Sequence, residues 1–167
     1  ITSQEEDYAY MMPRIYGENL VLSATIPREA DDSRFPSMFR LYQATIIGGA
    51  LIDDFQAIEV KCKHSDAYQG PLSNLFDNNG GEIFFNMTMY NNIISSSRKL
   101  GIFRAYYDGE DIYECQKMSF CYERYNYVHP TISKDGLTMI FSSSEEGKQK
   151  LYKTYRVDKY SDWRSPM

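Results

Sequence analysis

The sequence predicts an all-β fold assembled from one short unit written three times. Three observations carry this. An aromatic-x-x-Pro signature recurs as Tyr10-Met11-Met12-Pro13, Tyr68-Gln69-Gly70-Pro71 and Tyr127-Val128-His129-Pro130, with 58 residues from Pro13 to Pro71 and 59 from Pro71 to Pro130. A near-constant period means stacked or radially repeated units rather than one irregular domain. Each signature is followed by a short apolar run, Leu20-Val21-Leu22-Ser23, Ile83-Phe84-Phe85-Asn86 and Met139-Ile140-Phe141-Ser142. A second matching run follows each of these, beginning at Arg40, Gly101 and Lys150. Finally, 15 Tyr and 9 Phe in 167 residues suit pleated surfaces, and no periodic stretch predicts a helix longer than a turn or two.

Four short strands per unit with Gly at the hairpins predict β-propeller blades, because such a sheet cannot bury both faces alone and needs a neighbour on each side. The predicted architecture is three consecutive four-stranded blades, approximately residues 8–61, 63–123 and 125–167, forming half of a ring of about six. Residues 1–8 are polar and read as an entry strand or linker. In the first unit, the stretch from Thr25 to Met38 carries Pro27, Pro36 and the pair Asp31-Asp32 and is a loop insertion. Gly48-Gly49 marks a hairpin between apolar flanks, and Phe55-Gln56-Ala57-Ile58 reads as the outer strand. In the second unit, Asp77-Asn78-Asn79-Gly80 is a hairpin and Thr88 to Lys99 a polar insertion. Tyr107-Asp108-Gly109-Glu110 turns into an alternating outer strand from Ile112 to Met118. In the third unit, Pro130 cannot donate to a ladder and belongs at a strand start or edge. Asp135-Gly136 predicts a two-residue hairpin, since Asp tolerates positive φ and Gly takes it freely. Met139-Ile140-Phe141 is the buried central strand, Ser142 to Gly147 a polar turn, and Lys150 to Lys153 the next strand.

The run His129-Pro130-Thr131-Ile132-Ser133-Lys134-Asp135-Gly136, followed by Met139-Ile140-Phe141-Ser142-Ser143, resembles the TolB-type β-propeller repeat, H-P-x-h-S-x-D-G-x-x-h-h-F-x-S with h apolar. Trp163-Arg164-Ser165-Pro166 resembles the W-S-x-P with which such blades commonly end. The tripartite layout, opened by Tyr16-Gly17-Glu18-Asn19-Leu20-Val21-Leu22-Ser23, resembles the propeller of bacterial cell-envelope proteins that end in an outer-membrane-protein-A-like domain, among them PorE-like components of type IX secretion. The resemblance covers nearly the whole chain. It implies a periplasmic, outer-membrane-associated location, other envelope proteins as partners, and contact with peptidoglycan through a domain outside this chain.

A formal net charge of −5 with no basic cluster argues against nucleic-acid binding, which needs grouped Lys and Arg. No run approaches the roughly 20 apolar residues that span a bilayer. The chain starts at Ile1 and ends at a unit boundary, which reads as a mature or excised portion, so the lack of a signal peptide says nothing of targeting. Three cysteines cannot all pair within the chain; Cys115 and Cys121 could bond in an oxidising compartment, but free thiols packed as small hydrophobes are the preferred reading.

Candidate chemistry is sparse. Cys62 and His64 share a strand face and could hold a metal with Cys115, Cys121 or His129, yet no C-x-x-C or H-x-x-x-H pair exists and His129 sits at the His-Pro position of the repeat, so no metal site is predicted. Asp77 to Glu82 has the look of a calcium loop, but hairpin chemistry explains it, as at Asp135-Gly136. Asn86-Met87-Thr88 fits a glycosylation sequon but ends a predicted central strand. Asp31-Asp32, Asp53-Asp54 and Glu145-Glu146 fall in loops or turns, where solvated acids are ordinary. No G-x-S-x-G elbow exists and neither His has an oriented partner, so no catalytic residue or cofactor is expected.

The expected function is therefore a non-enzymatic protein-interaction scaffold. Its predicted partner-binding residues are Phe35 and Met38 of the first insertion and Tyr90, Asn91, Asn92, Ile93 and Ile94 of the second, because aromatic and long apolar anchors supply most interface energy. The alternatives are an accessory propeller of a hydrolase or peptidase, and a glycan-binding module using Tyr90, Asn91 and Asn92. A three-blade arc has two open sheet faces, which predicts self-association or completion of the ring by further blades.

Overall fold

In the computed structural model, which describes residues 9–26, 38–48, 50–51, 55–63, 68–77, 80–89 and 99–167, the apolar runs become strands and no helix forms among those residues. β1 (Tyr10–Tyr16), β2 (Asn19–Ala24) and β3 (Arg40–Ile47) make an antiparallel meander, and β4 (Ala50–Leu51) and β5 (Gln56–Ala57) both pair with β3 to complete sheet 1. β6 (Glu59–Lys61) leaves that sheet. It lies parallel to β10 (Asp111–Lys117) at the edge of sheet 2, whose remaining strands are β7 (Gln69–Asp77), β8 (Gly80–Met89) and β9 (Lys99–Tyr107). Sheet 3 comprises β11 (Tyr127–Ile132), β12 (Thr138–Ser143) and β13 (Lys150–Tyr155). Residues 164–167 run along β13: the Met167 N–H donates to the Lys153 carbonyl at 2.9 Å, Lys153 returns the bond at 3.0 Å, and the Arg164 N–H donates to Tyr155. The all-β class is as expected, but the sheets have five, five and three strands rather than four each. The outer positions are where they differ, because a hairpin at Gly48 (φ 61°) splits the outer edge of sheet 1 and β6 crosses to its neighbour.

The three signature prolines share one local structure. The register slips between Met11 and Arg14, between Gln69 and Leu72, and between Val128 and Thr131, so each first strand carries a bulge at its proline. A residue without an N–H leaves a gap in the ladder, and a bulge absorbs it. Met12 and His129, just before proline, take φ of 50° and 57°. Gly70 takes no such angle; a Cβ there would lie 2.8 Å from the Asn86 Cβ and 2.7 Å from the Tyr68 ring, so space excludes a side chain.

The Asp135-Gly136 hairpin is longer than two residues. Ser133 N–H closes it on the Thr138 carbonyl at 2.9 Å, and Gly136 (φ 76°) donates to the Ser133 carbonyl at 2.8 Å. The Ser133 hydroxyl accepts from Thr138 N–H at 2.9 Å, and the Asp135 carboxylate accepts from Leu137 N–H at 2.9 Å. The Ser133 hydroxyl also donates to the Asp135 carboxylate at 2.5 Å, and that bond, ahead of the one from the Leu137 N–H, holds the Asp135 pKa below the usual carboxylate value.

Strict alternation along β8 decides the packing. Ile83, Phe85 and Met87 project to one side and join Val21 and Leu41 of sheet 1 in a core that also takes Leu72, Ala105 and Ile112. Phe84 projects to the other side and, with Ile102, packs on Tyr127, Met139 and Phe141 of sheet 3. Phe120 fills the second core, its ring stacked on Phe141 at 5.0 Å. Sheet 2 is thus buried on both faces, and each fully buried Phe or Ile there contributes roughly 1.5–3 kcal/mol.

The Cys115–Cys121 pairing does not form, and the free-thiol reading holds for Cys121 alone. Cys62 bonds to Cys115 (Cα–Cα 5.6 Å), and Cys121 is the free, buried thiol. The cause is β6: its parallel pairing of Val60 with Ile112 and Lys61 with Tyr113 brings Cys62 to β10, where a bulge between Tyr113 and Gln116, with Glu114 at φ 56°, sets Cys115 against it. Cross-linking across a separation of 53 residues predicts about 4 kcal/mol of stabilisation in the chain-entropy account. Urea unfolding of Cys115→Ser should show a loss of that order, and the denatured, unreduced wild-type chain should yield one reactive thiol.

Candidate functional site

Six of the seven predicted contact residues, Phe35 and Tyr90 to Ile94, lie outside the described residues, as do His64, Asp31-Asp32 and Asp53-Asp54. Met38 is half-buried beside Phe39, whose ring meets Tyr68 edge-on at 5.8 Å. Cys62, offered as a metal ligand, is spent in the disulfide, and His129 is exposed at its bulge. Among the described residues no group of three or more metal-ligating side chains gathers. Cys121 is 2% exposed, and burial pushes its thiol pKa up to about 12, the opposite of an activated nucleophile.

What the chain does build is a pair of polar seams between sheets. Asn86, fully buried, donates from Nδ2 to the Tyr127 carbonyl at 2.8 Å and the Gly101 carbonyl at 3.3 Å, while its Oδ1 accepts from the His129 N–H at 3.0 Å. Its amide therefore reads the β11 backbone where the Pro130 bulge has opened it. A sequon asparagine so enclosed is no surface acceptor. Ser73 adds a bond from the Ile132 N–H to its hydroxyl at 3.0 Å. At the other seam, Gln69 accepts the Leu41 N–H at 3.2 Å and donates its own N–H to Phe39 at 2.8 Å.

An ion cluster locks the first seam, between sheets 2 and 3. The Arg156 guanidinium, 1% exposed, grips Glu82 with both terminal nitrogens at 3.1 and 2.5 Å and donates Nε–H to the Gly136 carbonyl at 2.8 Å. Arg104 Nε lies 2.5 Å from the same carboxylate. Arg156 also sits 4.8 Å from the Trp163 ring, which meets Phe84 edge-on at 5.6 Å. Bidentate geometry and extra bonds are what a buried pair needs to offset its desolvation.

Two open surfaces among the described residues bear on binding. A cleft of about 260 Å³ is lined by Phe120, Tyr122, Trp163, Glu145, Arg164 and Ser119, among others, placing aromatic rings beside a carboxylate and a guanidinium. The outer face of sheet 3 carries exposed Ile140, Leu151 and Tyr155. Sequence reasoning missed Asn86, Arg156 and the cleft. A lone amide inside the apolar run from Ile83 to Met89 was the available signal for the first.

No protein-family model and no curated protein matches this chain.

Replacing Asn86 by Leu, which is close in size, leaves the Tyr127 carbonyl and His129 N–H buried without partners. Urea unfolding should register a loss of about 2–4 kcal/mol, and amide exchange at His129 should accelerate ahead of exchange in sheet 1.

Proposed function

We propose that this chain is a non-enzymatic interaction scaffold: three consecutive propeller blades, half of a six-bladed ring, belonging to a bacterial envelope protein of the outer-membrane-protein-A-like family and working in the periplasm with type IX secretion. The observation that carries the reading is sheet 2, buried on both faces between sheets of related topology, which is the environment of a blade between its neighbours. The three bulges at Pro13, Pro71 and Pro130 support a common unit. The Cys62–Cys115 bond supports an oxidising compartment such as the periplasm. Rigid faces and seams suit binding.

Light scattering at several concentrations tests the open arc: the 167-residue chain should associate unless further blades complete the ring, and a well-folded species that stays monomeric throughout counts against it. For the scaffold role, in-cell cross-linking of the full-length protein should capture envelope proteins in the outer-membrane fraction. Recovery without any cross-linked partner opposes that role.

A second reading, glycan binding, draws on the cleft, where Tyr122 and Trp163 offer faces for sugar rings and Glu145 and Arg164 offer hydrogen bonds to hydroxyls. Trp163 is the single tryptophan of the chain, so its emission reports on the cleft directly. Titration with N-acetylglucosamine oligomers should shift that emission in a saturable way that Tyr122→Ala weakens; an unchanged spectrum at millimolar sugar removes this reading.

A further inference from the structure

We propose that the outer face of sheet 3 is a docking face for one further β-unit of the same repeat. This rests on the propeller reading and names the end at which that propeller grows.

Strand register makes the comparison position by position. Ser23 pairs with Leu41, Asn86 with Ile102 and Ser142 with Leu151; Val21 pairs with Gln43, Phe84 with Arg104 and Ile140 with Lys153. Val21 and Leu41 therefore stand on sheet 1 where Phe84 and Ile102 stand on sheet 2 and where Ile140 and Leu151 stand on sheet 3. In the first two sheets these side chains are 1% exposed or less, because the following sheet covers them. On sheet 3 the same two positions are 45% and 76% exposed, and Tyr155 on the same face is 42% exposed.

The far side of sheet 1 is different. Leu22, Ala24 and Tyr42 face away from sheet 2 and are at most 5% exposed, with Ile26 and Phe55 packed against them. The occupant that fits is the kind already seen twice: a unit whose apolar rear face, like Leu72, Ile83 and Phe85 of sheet 2 or Met139 and Phe141 of sheet 3, lies against the forward face of the unit before it.

The test appends a second copy of residues 63–123 after Met167 and places a thiol at the centre of the face with Leu151→Cys, in both the original and the extended chain. Maleimide should react roughly tenfold more slowly at position 151 in the extended chain, since protection follows the population of the open form. Equal rates overturn the proposal. Slowing in the original chain that appears only as its concentration rises puts a second copy on the face in place of the missing unit, which supports both the docking face and the open arc. Protection in the original chain at high dilution defeats both. Independently of the added unit, Ile140→Lys with Leu151→Lys should leave the melting temperature of the original chain within about 2 °C; unfolding by that pair shows them to be core residues and ends the proposal.

Discussion

A sheet with no side left for water is the constraint on which this structure depends. Along β8 the side chains alternate between two cores, so burying Phe85 requires sheet 1 and burying Phe84 requires sheet 3. Neither outer sheet can be removed without exposing an aromatic row, and sheet 2 alone has no stable surroundings. Its loss from water is what gathers the chain around it, because apolar burial is the dominant favourable contribution and acts without direction.

Non-directional burial would leave sheets free to slide over one another. The polar seams prevent this. Asn86 can satisfy its amide only where the β11 ladder is interrupted, and the interruption exists because Pro130 has no N–H and the strand bulges around it. The bulge is thus a keyed position as well as a defect in pairing. The Arg156–Glu82 pair acts alike at the other end of β8: with the guanidinium also bonded to the Gly136 carbonyl, a one-residue slip of sheet 3 would leave a buried charge uncompensated.

How much of this was legible follows from the range of each interaction. The period, the apolar cores of β2, β8 and β12 and the special status of the three prolines are local patterns, and reading them from the sequence needed only strand alternation and proline chemistry. The disulfide was not legible. Cys62 meets Cys115 only because β6 abandons sheet 1 for a parallel pairing with β10, and three residues, Glu59 to Lys61, carry no pattern that names a partner fifty positions away. The hairpin at Asp135 was misjudged in length because Ser133 takes part in it through its side chain, while two-residue turns are recognised from backbone preferences alone. Asn86 was weighed as a sequon when its apolar neighbours pointed to a buried amide. Of the predicted contact residues only Met38 falls among the described positions, whereas the exposed trio on sheet 3 needed the register to be seen.

The edges of the sheets bear on how the molecule can associate. An unpaired strand edge is an adhesive that proteins cover or blunt. Here each outer edge is covered by a different irregular piece: two-residue strands β4 and β5 on β3, the parallel strand β6 on β10, and residues 164–167 on β13. The opposite edge strands, β1, β7 and β11, each carry a proline, which removes a donor and bends the backbone at its bulge. These devices share no sequence, yet all have the same consequence: strand addition is discouraged along both sides of every sheet. Association is left to faces, and among the described residues the outer face of sheet 3 keeps Ile140, Leu151 and Tyr155 in water, whereas Leu22, Ala24 and Tyr42 at the rear of sheet 1 are packed.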